Sequence, residues 1–391
     1  MTSVINNSNS NSALVNTLIA SDSLVNPNVY TIKQITPPHA MTYASNLPST
    51  ESYGANGNVN FQLNKYGIIS QILFNYKKKT AAADDYIGAN DIFDCISKID
   101  LLSSSRVVST LTNFDLMAQF SNLSESKLLP IKRSSLRQPA ASASAVDFCI
   151  PLVFGFMQDV NTQLNSSFLE PLSIRVTWGT VNKSFSAGDA ELTNAVISEA
   201  SLNIRYKNYN EESVSKILSE NYDKPQLNQL STRFYDENTQ PVTASSTLTE
   251  VAVELKNTDC VQNFYVIVRE VGKTQPLAIS DIEFTGSGQQ ILKMNEFQIQ
   301  YSKIDHDGFS VGQDIITGAN SLFNIAKLQM GLYDSTTMSN MVSLREINAP
   351  KITIKFVSVD ATNYEVVVVE ETAAIYSTSS ASGRLDLALS N

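Results

Sequence analysis

The chain has 391 residues, of which 42% are hydrophobic and 17% charged, and its formal net charge is −10. This length is sufficient to bury one or two hydrophobic cores, and no apolar run approaches the ~20 residues that a membrane-spanning helix needs. The acidic excess repels phosphate, and Lys33 is the single lysine or arginine among the first 60 residues. We therefore expect no direct binding of nucleic acid.

Residues 1–55 lack the strand pattern of the rest of the chain and are expected to form an N-terminal arm. Residues 6–12 are a run of Asn and Ser that is too polar to pack, so this part should be flexible. A short apolar stripe with helical spacing follows and predicts one amphipathic helix, capped by Asn11 or Ser12. Because so short a helix is unstable alone in water, the stripe needs a surface, which is the protein's own core, a neighbouring subunit or a lipid interface. The stripe consists of Leu14, Val15, Leu18 and Ile19.

Short strands with alternating apolar residues begin near residue 56 and continue to the C-terminus. A polar stretch at 210–218 has the pattern of a capped helix that ends near Pro225, and it predicts the end of a first domain. Many short strands with few helices are typical of β-sandwiches. We therefore predict an all-β fold of two tandem eight-stranded jelly-roll sandwiches (a double jelly roll), at 56–225 and 235–391, with short helices in loops. The main predicted strands are at 59–63, 68–74, 92–102, 148–156, 171–178 and 201–206 in the first half, and at 250–255, 261–269, 279–284, 297–301, 325–332, 350–356 and 364–370 in the second.

An internal repeat supports this division into two domains. In each half, an apolar strand is followed by a polar segment and then by a strand that begins after a proline. The repeat distance of roughly 175 residues exceeds that of solenoid repeats and matches the size of a domain. The repeat predicts that Ile174 and Ile352 lie on equivalent strands. It also predicts a short helix in each polar segment, at 157–170 and at 333–348.

Few residues could catalyse a reaction or bind a metal. His39 and His306 are the only histidines, which leaves too little for a His-dependent triad or a His-rich zinc site. The segment 305–308 resembles the start of a calcium loop but lacks the closing Glu, so a polar turn is favoured over a cation site. The cysteines are odd in number and widely spaced, which favours buried free thiols over disulfides. We therefore expect no enzymatic activity, no metal and no cofactor. The cysteines are Cys95, Cys149 and Cys260.

Five parts of the chain, in this order, resemble elements of a known family: 150–156 with 172–176, 202–206 with the following helix to 226, 261–270, 340–350 and 364–385. They are similar to strands and loops of the double jelly-roll major capsid proteins of the tectivirus–adenovirus lineage. This lineage also includes capsid proteins of large eukaryotic DNA viruses and virophages. The resemblance covers residues 56–391 as a pattern and order of elements, with few exact motifs.

The resemblance implies a structural protein whose homotrimers form pseudo-hexagonal capsomers that tile an icosahedral viral shell. The implied partners are the chain itself, neighbouring trimers, and penton and minor capsid proteins. Whether an internal membrane is a further partner is left open by the resemblance. Since the N-terminus lacks the basic and apolar regions of a secretory signal, we expect synthesis in the host cell interior and a final place in the virion. The principal alternative is a receptor- or carbohydrate-binding β-sandwich of a viral spike or surface protein, whose expected aromatic clusters or cation-binding loop are not evident. A jelly-roll enzyme of the cupin kind would need a His-rich metal motif.

Overall fold

The computed structural model describes residues 43–49, 53, 57–79, 95–121, 146–157, 164, 166, 169–180, 196–207, 226–245, 247–256, 260–273, 276–301, 324–330, 341–379 and 384–389. Within these ranges the chain is built mainly from antiparallel strands, joined by a few short helices. None of the described helices is long and apolar enough to cross a membrane.

The first half of the chain forms a jelly roll of two four-stranded antiparallel sheets. Its strands are β1 (Tyr43–Ser49), β2 (Asn58–Gln62), β3 (Ile68–Lys79), β4 (Ile96–Ser103), β5 (Arg106–Thr112), β6 (Val146–Pro151), β7 (Leu172–Trp178) and β8 (Val196–Lys207). One sheet has the strand order β1-β8-β3-β6 and the other the order β2-β7-β4-β5. β2 shows why the two sheets pack face to face, because Val59 and Phe61 are buried while the residues between and beside them are exposed.

The second half repeats this architecture. Its strands are β9 (Gln226–Thr243), β10 (Leu248–Glu254), β11 (Cys260–Glu270), β12 (Ile279–Gly286), β13 (Gln289–Asn295), β14 (Ala326–Gln329), β15 (Val342–Ser343), β16 (Lys351–Val357), β17 (Asn363–Ser379) and β18 (Leu385–Leu389). One sheet has the order β10-β16-β12-β13. The other has the order β14-β11-β17-β18, with β9 paired to β17 and β15 paired to β11.

The two jelly rolls have the same strand topology. The order β1-β8-β3-β6 corresponds to β9-β17-β11-β14, and the order β2-β7-β4-β5 corresponds to β10-β16-β12-β13. Ile174 lies on β7 and Ile352 on β16, which occupy the same position in their sheets. The predicted all-β double jelly roll is therefore confirmed, as is the equivalence of the two repeated strands.

Each jelly roll has a hydrophobic core between its sheets. In the first, Trp178 is fully buried, and its ring centroid lies 5.7 Å from that of Phe74. In the second, Ile354 lies between its cross-strand partners Val251 and Ile282, and all three side chains are buried. Full burial of each large apolar side chain stabilises the fold by about 1.5 to 3 kcal/mol.

Two strands lie outside the domain limits expected from the sequence. β1 falls within the range 1–55 that was assigned to the arm, yet it pairs along its whole length with β8. β9 begins before residue 235, where the second jelly roll was expected to start. Among the described residues both strands have a pairing partner on one side only, and such edge strands tolerate proline and polar residues. Neither strand shows the apolar alternation on which the prediction depended, and Pro48 also interrupts the strand pattern in β1.

The two α-helices of the described residues were not predicted. The range 297–301 was expected to be a strand, but Glu296–Tyr301 forms a helix, α2. Its apolar residues alternate with glutamines, which imitates a half-buried strand. Helix α1 (Asn113–Ser121) follows β5 directly.

The short helices expected in loops are described only in part. The segment 333–348, in which a short helix was predicted, contains a 3₁₀ turn at Leu344–Glu346. Most of the segment 157–170 and all of the predicted helix at 210–218 lie outside the described residues.

Candidate functional site

The two jelly rolls meet along a surface that we call the interdomain seam. The first jelly roll contributes α1, the end of β5 and the 3₁₀ turn Gly155–Met157, and the second contributes the outward face of the sheet that contains β11 and β17. The apolar outward side chains in the middle of these two strands are fully buried and join the hydrophobic cluster of the first jelly roll. Their inward neighbours fill the second core, so both faces of β11 and β17 are covered. The outward side chains are Tyr265, Ile267, Val367 and Val369.

A reciprocal capping box starts helix α1. The backbone N–H of Thr112 donates to Oδ2 of Asp115 at 2.9 Å, and the backbone N–H of Asp115 donates to Oγ1 of Thr112 at 3.2 Å. Such a box supplies partners for backbone donors that the first helical turn cannot satisfy itself. Gln119 fixes the helix from its other end, since its Nε2 donates to the backbone oxygen of Val153 at 2.8 Å. These contacts place Phe114, the second residue of the helix, in the seam.

Arg269 of β11 is the principal charge in the seam. Its side chain is 2% exposed, and its guanidinium carbon lies 4.6 Å from the centre of the Phe114 ring. Glu365, directly opposite on β17, forms an ion pair with it. A buried guanidinium is costly without a counter-charge, so Glu365 compensates it, and a desolvated cation–π contact adds about 2 kcal/mol. The seam therefore joins the helix of one jelly roll to the sheet of the other by charge as well as by apolar contact.

Two further hydrogen bonds cross the seam. The hydroxyl of Thr112 donates to the carboxylate of Glu237 in β9. Nη2 of Arg106 donates to the backbone oxygen of Leu385 in β18 at 3.0 Å. Both bonds involve a charged group, and charge-assisted hydrogen bonds are stronger than neutral ones. They connect β5 to both the first and the last strand of the second jelly roll.

Asp100 of β4 is a buried carboxylate with several partners outside the seam. It is fully buried, and its Oδ2 accepts from Nη2 and Nε of Arg175 at 2.7 and 3.2 Å. The hydroxyl of Thr110 donates to the other oxygen at 2.8 Å, and Nζ of Lys98 lies 3.4 Å from Oδ2. Both oxygens of this carboxylate are bonded to side chains of its own sheet, so we assign it a structural role.

The titratable groups with shifted pKa values stay in their ordinary protonation states at neutral pH. Partial burial raises the pKa of the Cys149 thiol, which lowers its reactivity because the thiolate is the nucleophile. Burial raises the pKa of Tyr206 to about 12. A hydrogen bond to Glu199 and its negative charge raise the pKa of Lys77. None of these shifts poises a group for acid–base chemistry near neutral pH.

Most residues singled out in the sequence lie outside the described residues. These are the arm stripe of Leu14, Val15, Leu18 and Ile19, and also His39 and the segment 305–308. All three cysteines are free thiols, but only Cys95 is buried. The expected burial of Cys149 and Cys260 was wrong, and for Cys149 the reason is that its neighbours Phe148 and Ile150 occupy the core-facing positions of β6. In the described part of the chain, no three His, Cys, Asp or Glu side chains are grouped to hold a metal ion.

The seam residues were not identified from the sequence, although two signals were available. The runs 264–268 and 366–369 are continuously apolar, which is typical of strands buried on both faces. Thr112 and Asp115 have the spacing of a capping box and are followed by apolar residues, which indicates a helix start.

No protein-family model matches this sequence, and no curated protein does. Several solved structures match its fold. VP54 of PBCV-1, fitted into a cryo-EM reconstruction of the virophage Sputnik, aligns with a TM-score of 0.65 at 11% identity over 90% of this chain and 98% of VP54. The Faustovirus major capsid protein aligns with a TM-score of 0.56 at 9% identity, over 95% and 98% of the two chains. The STIV major capsid protein aligns with a TM-score of 0.53 at 12% identity, over 85% and 96%. The chain therefore has the double jelly-roll fold that these viral major capsid proteins share.

Proposed function

We propose that this chain is a viral major capsid protein, a structural component of the virion without enzymatic activity. The supporting observation is the extent of the structural match, which spans 98% of VP54 and 98% of the Faustovirus protein. The shared fold is thus nearly the whole of each of those proteins. A fold alone does not determine function, but capsid function is geometric and depends on the shape that the whole chain presents.

The proposed assembly unit is a homotrimer. Each chain supplies two jelly rolls with the same topology, so three chains supply six similar units that can surround one axis and give a pseudo-hexagonal outline. Such a block is suited to side-by-side packing in an icosahedral shell. Neighbouring trimers, and penton and minor capsid proteins, are the proposed partners. We assign the arm stripe of Leu14, Val15, Leu18 and Ile19 to contacts with a neighbouring trimer or with the inner surface of the shell.

The purified full-length chain tests this proposal. Light scattering at neutral pH should give three times the 42.9 kDa mass of one chain, and negative-stain images should show blocks with a hexagonal outline. A chain that remains monomeric at every accessible concentration, and that forms no shells in infected cells, would overturn the proposed function.

A further inference from the structure

The helices α1 and α2 are equivalent elements of the two jelly rolls. Each follows the equivalent strand, β5 or β13, and each starts with a reciprocal capping box. In α2 the backbone N–H of Asn295 donates to Oε1 of Gln298 at 3.0 Å, and the backbone N–H of Gln298 donates to Oδ1 of Asn295 at 3.0 Å. Phe297 therefore occupies the second position of α2, as Phe114 does in α1.

The two equivalent phenylalanines differ in what covers them. Phe114 is 8% exposed because Arg269 and the sheet of the second jelly roll cover it. Phe297 is 79% exposed, the highest fraction among the exposed large hydrophobic residues of the described chain. An exposed aromatic ring at a position whose equivalent is buried in an interface indicates a surface that a partner covers.

The sheet of the second jelly roll covers Phe114, and the first jelly roll has an equivalent surface. On β11, Arg269 follows the core residue Val268 and lies opposite Glu365 of β17. On the equivalent strand β3, Lys77 follows the core residue Tyr76 and lies opposite Glu199 of β8.

The ion pair on the first jelly roll is intact but uncovered. Nζ of Lys77 lies 2.7 Å from Glu199 and 4.0 Å from Asp147 of β6. The side chains of Lys77 and Glu199 are 38% and 55% exposed, whereas those of Arg269 and Glu365 are 2% and 23% exposed. One chain therefore carries both surfaces of a second seam, the Phe297 ring and the Lys77–Glu199 pair, and both surfaces are exposed.

We propose that a second copy of this chain covers Phe297, and that the contact repeats the interdomain seam between chains. Helix α2 of one copy packs on the outward face of the sheet β1-β8-β3-β6 of the next, with the Phe297 ring against the Lys77–Glu199 pair. The contact is heterologous, and heterologous contacts form a ring when their rotation closes. In the proposed trimer this ring contains the six jelly rolls of three chains. This inference rests on the proposed capsid function and names the surface that builds its trimer.

The composition of the two surfaces agrees with their different tasks. In the intrachain seam the outward strand residues beside the ion pair are apolar, whereas three of the four equivalent positions on β3 and β8 are partly exposed polar residues and the fourth, Leu73, is a half-buried apolar residue. A permanent contact resembles a core, while a surface that is exposed before assembly is more polar. The polar positions are Asn75, Ser201 and Asn203, which correspond to Ile267, Val367 and Val369.

Substitution of Phe297 tests the proposed contact. Phe297→Asp places a carboxylate beside Glu199 and Asp147, and it should weaken trimer formation about tenfold or more, as expected for loss of a central aromatic contact. Phe297→Tyr keeps the ring and should still form trimers. Val359→Asp, which replaces a 66% exposed apolar residue outside the contact, is the matched control and should also form trimers. Circular dichroism should show that all three variants are folded, because both positions are exposed.

A crosslink between chains provides a positive test. In a Cys149→Ser, Cys260→Ser background, a Phe297→Cys chain and a Lys77→Cys chain are mixed, assembled and treated with a short thiol crosslinker, and only the mixture should yield crosslinked chains. The background removes the half-buried native thiols, because Cys149 lies on β6 beside β3, in the face that α2 is proposed to cover. If the wild type forms trimers, Phe297→Asp forms them equally well and the mixture yields no crosslink, then the inferred interface is wrong and the proposed function stands. A wild-type chain that neither trimerises nor crosslinks would overturn both.

Discussion

Truncation of Val367 to alanine measures how firmly the two jelly rolls are joined. Val367 is fully buried in the seam, and its neighbour Val366 is equally buried but faces the second core. The truncation removes two methyl groups, which costs about 1.6 kcal/mol in transfer free energy, and the cavity raises this to about 2 to 3 kcal/mol. Val357, on β16, is 69% exposed, and the same truncation there should change the free energy of unfolding by less than about 0.5 kcal/mol.

Urea unfolding at one fixed protein concentration gives the assay, because assembly would stabilise the folded chain by mass action. Trp178, the only tryptophan, reports on the first jelly roll, while circular dichroism reports on the whole chain. We expect a single transition with both probes, and Val366→Ala should lower the midpoint even when Trp178 fluorescence is followed. Val367→Ala should lower it by a similar amount. If Val367→Ala behaves like Val357→Ala, or if the two probes give separate transitions, the seam is not part of the folded core and the reasoning fails.

The central strands could be predicted because their burial follows the sequence directly. In β16 the residues Ile352, Ile354 and Phe356 are buried and alternate with exposed or half-buried ones. That pattern has only one explanation, a strand with one face on a core. The edge strands β1 and β9 lack it, because a strand with one neighbour needs neither a continuous ladder nor a continuous apolar face. Their positions depend on pairing with β8 and β17, which distant parts of the sequence supply.

Neither helix α2 nor the packing at the seam follows from the pattern of apolar residues alone. Phe297, Ile299 and Tyr301 alternate as in a strand, and only the capping pair Asn295 and Gln298 identifies a helix there. In so short a segment, the capping hydrogen bonds thus indicate the structure better than the alternation of apolar residues does. That Phe114 is covered and its equivalent is not depends on how the two jelly rolls pack, which no local pattern contains.

Three further predictions concern the arm, a buried hydroxyl and the second core. Deletion of residues 2–25 should leave the fold and the trimer intact but prevent shell formation, which light scattering and electron microscopy check together; loss of the trimer would place the arm in the core instead. Because burial raises the pKa of Tyr206 to about 12, its contribution to stability is fully present below its unfolded value of 10.0 and is lost as the pH rises through about 12. Tyr206→Phe should therefore flatten the fall in stability over that range, and an unchanged pH profile would contradict the shift. Ile354→Asp should place a carboxylate between Val251 and Ile282, where all three positions are buried and the pairing residues are apolar. Since such a carboxylate gains no compensating partner, unfolding should become easier by several kcal/mol, and the yield of folded protein should fall sharply. Val357→Asp changes the same strand at an exposed position and should express normally; equal yields of the two variants would show that this face of β16 does not line the core.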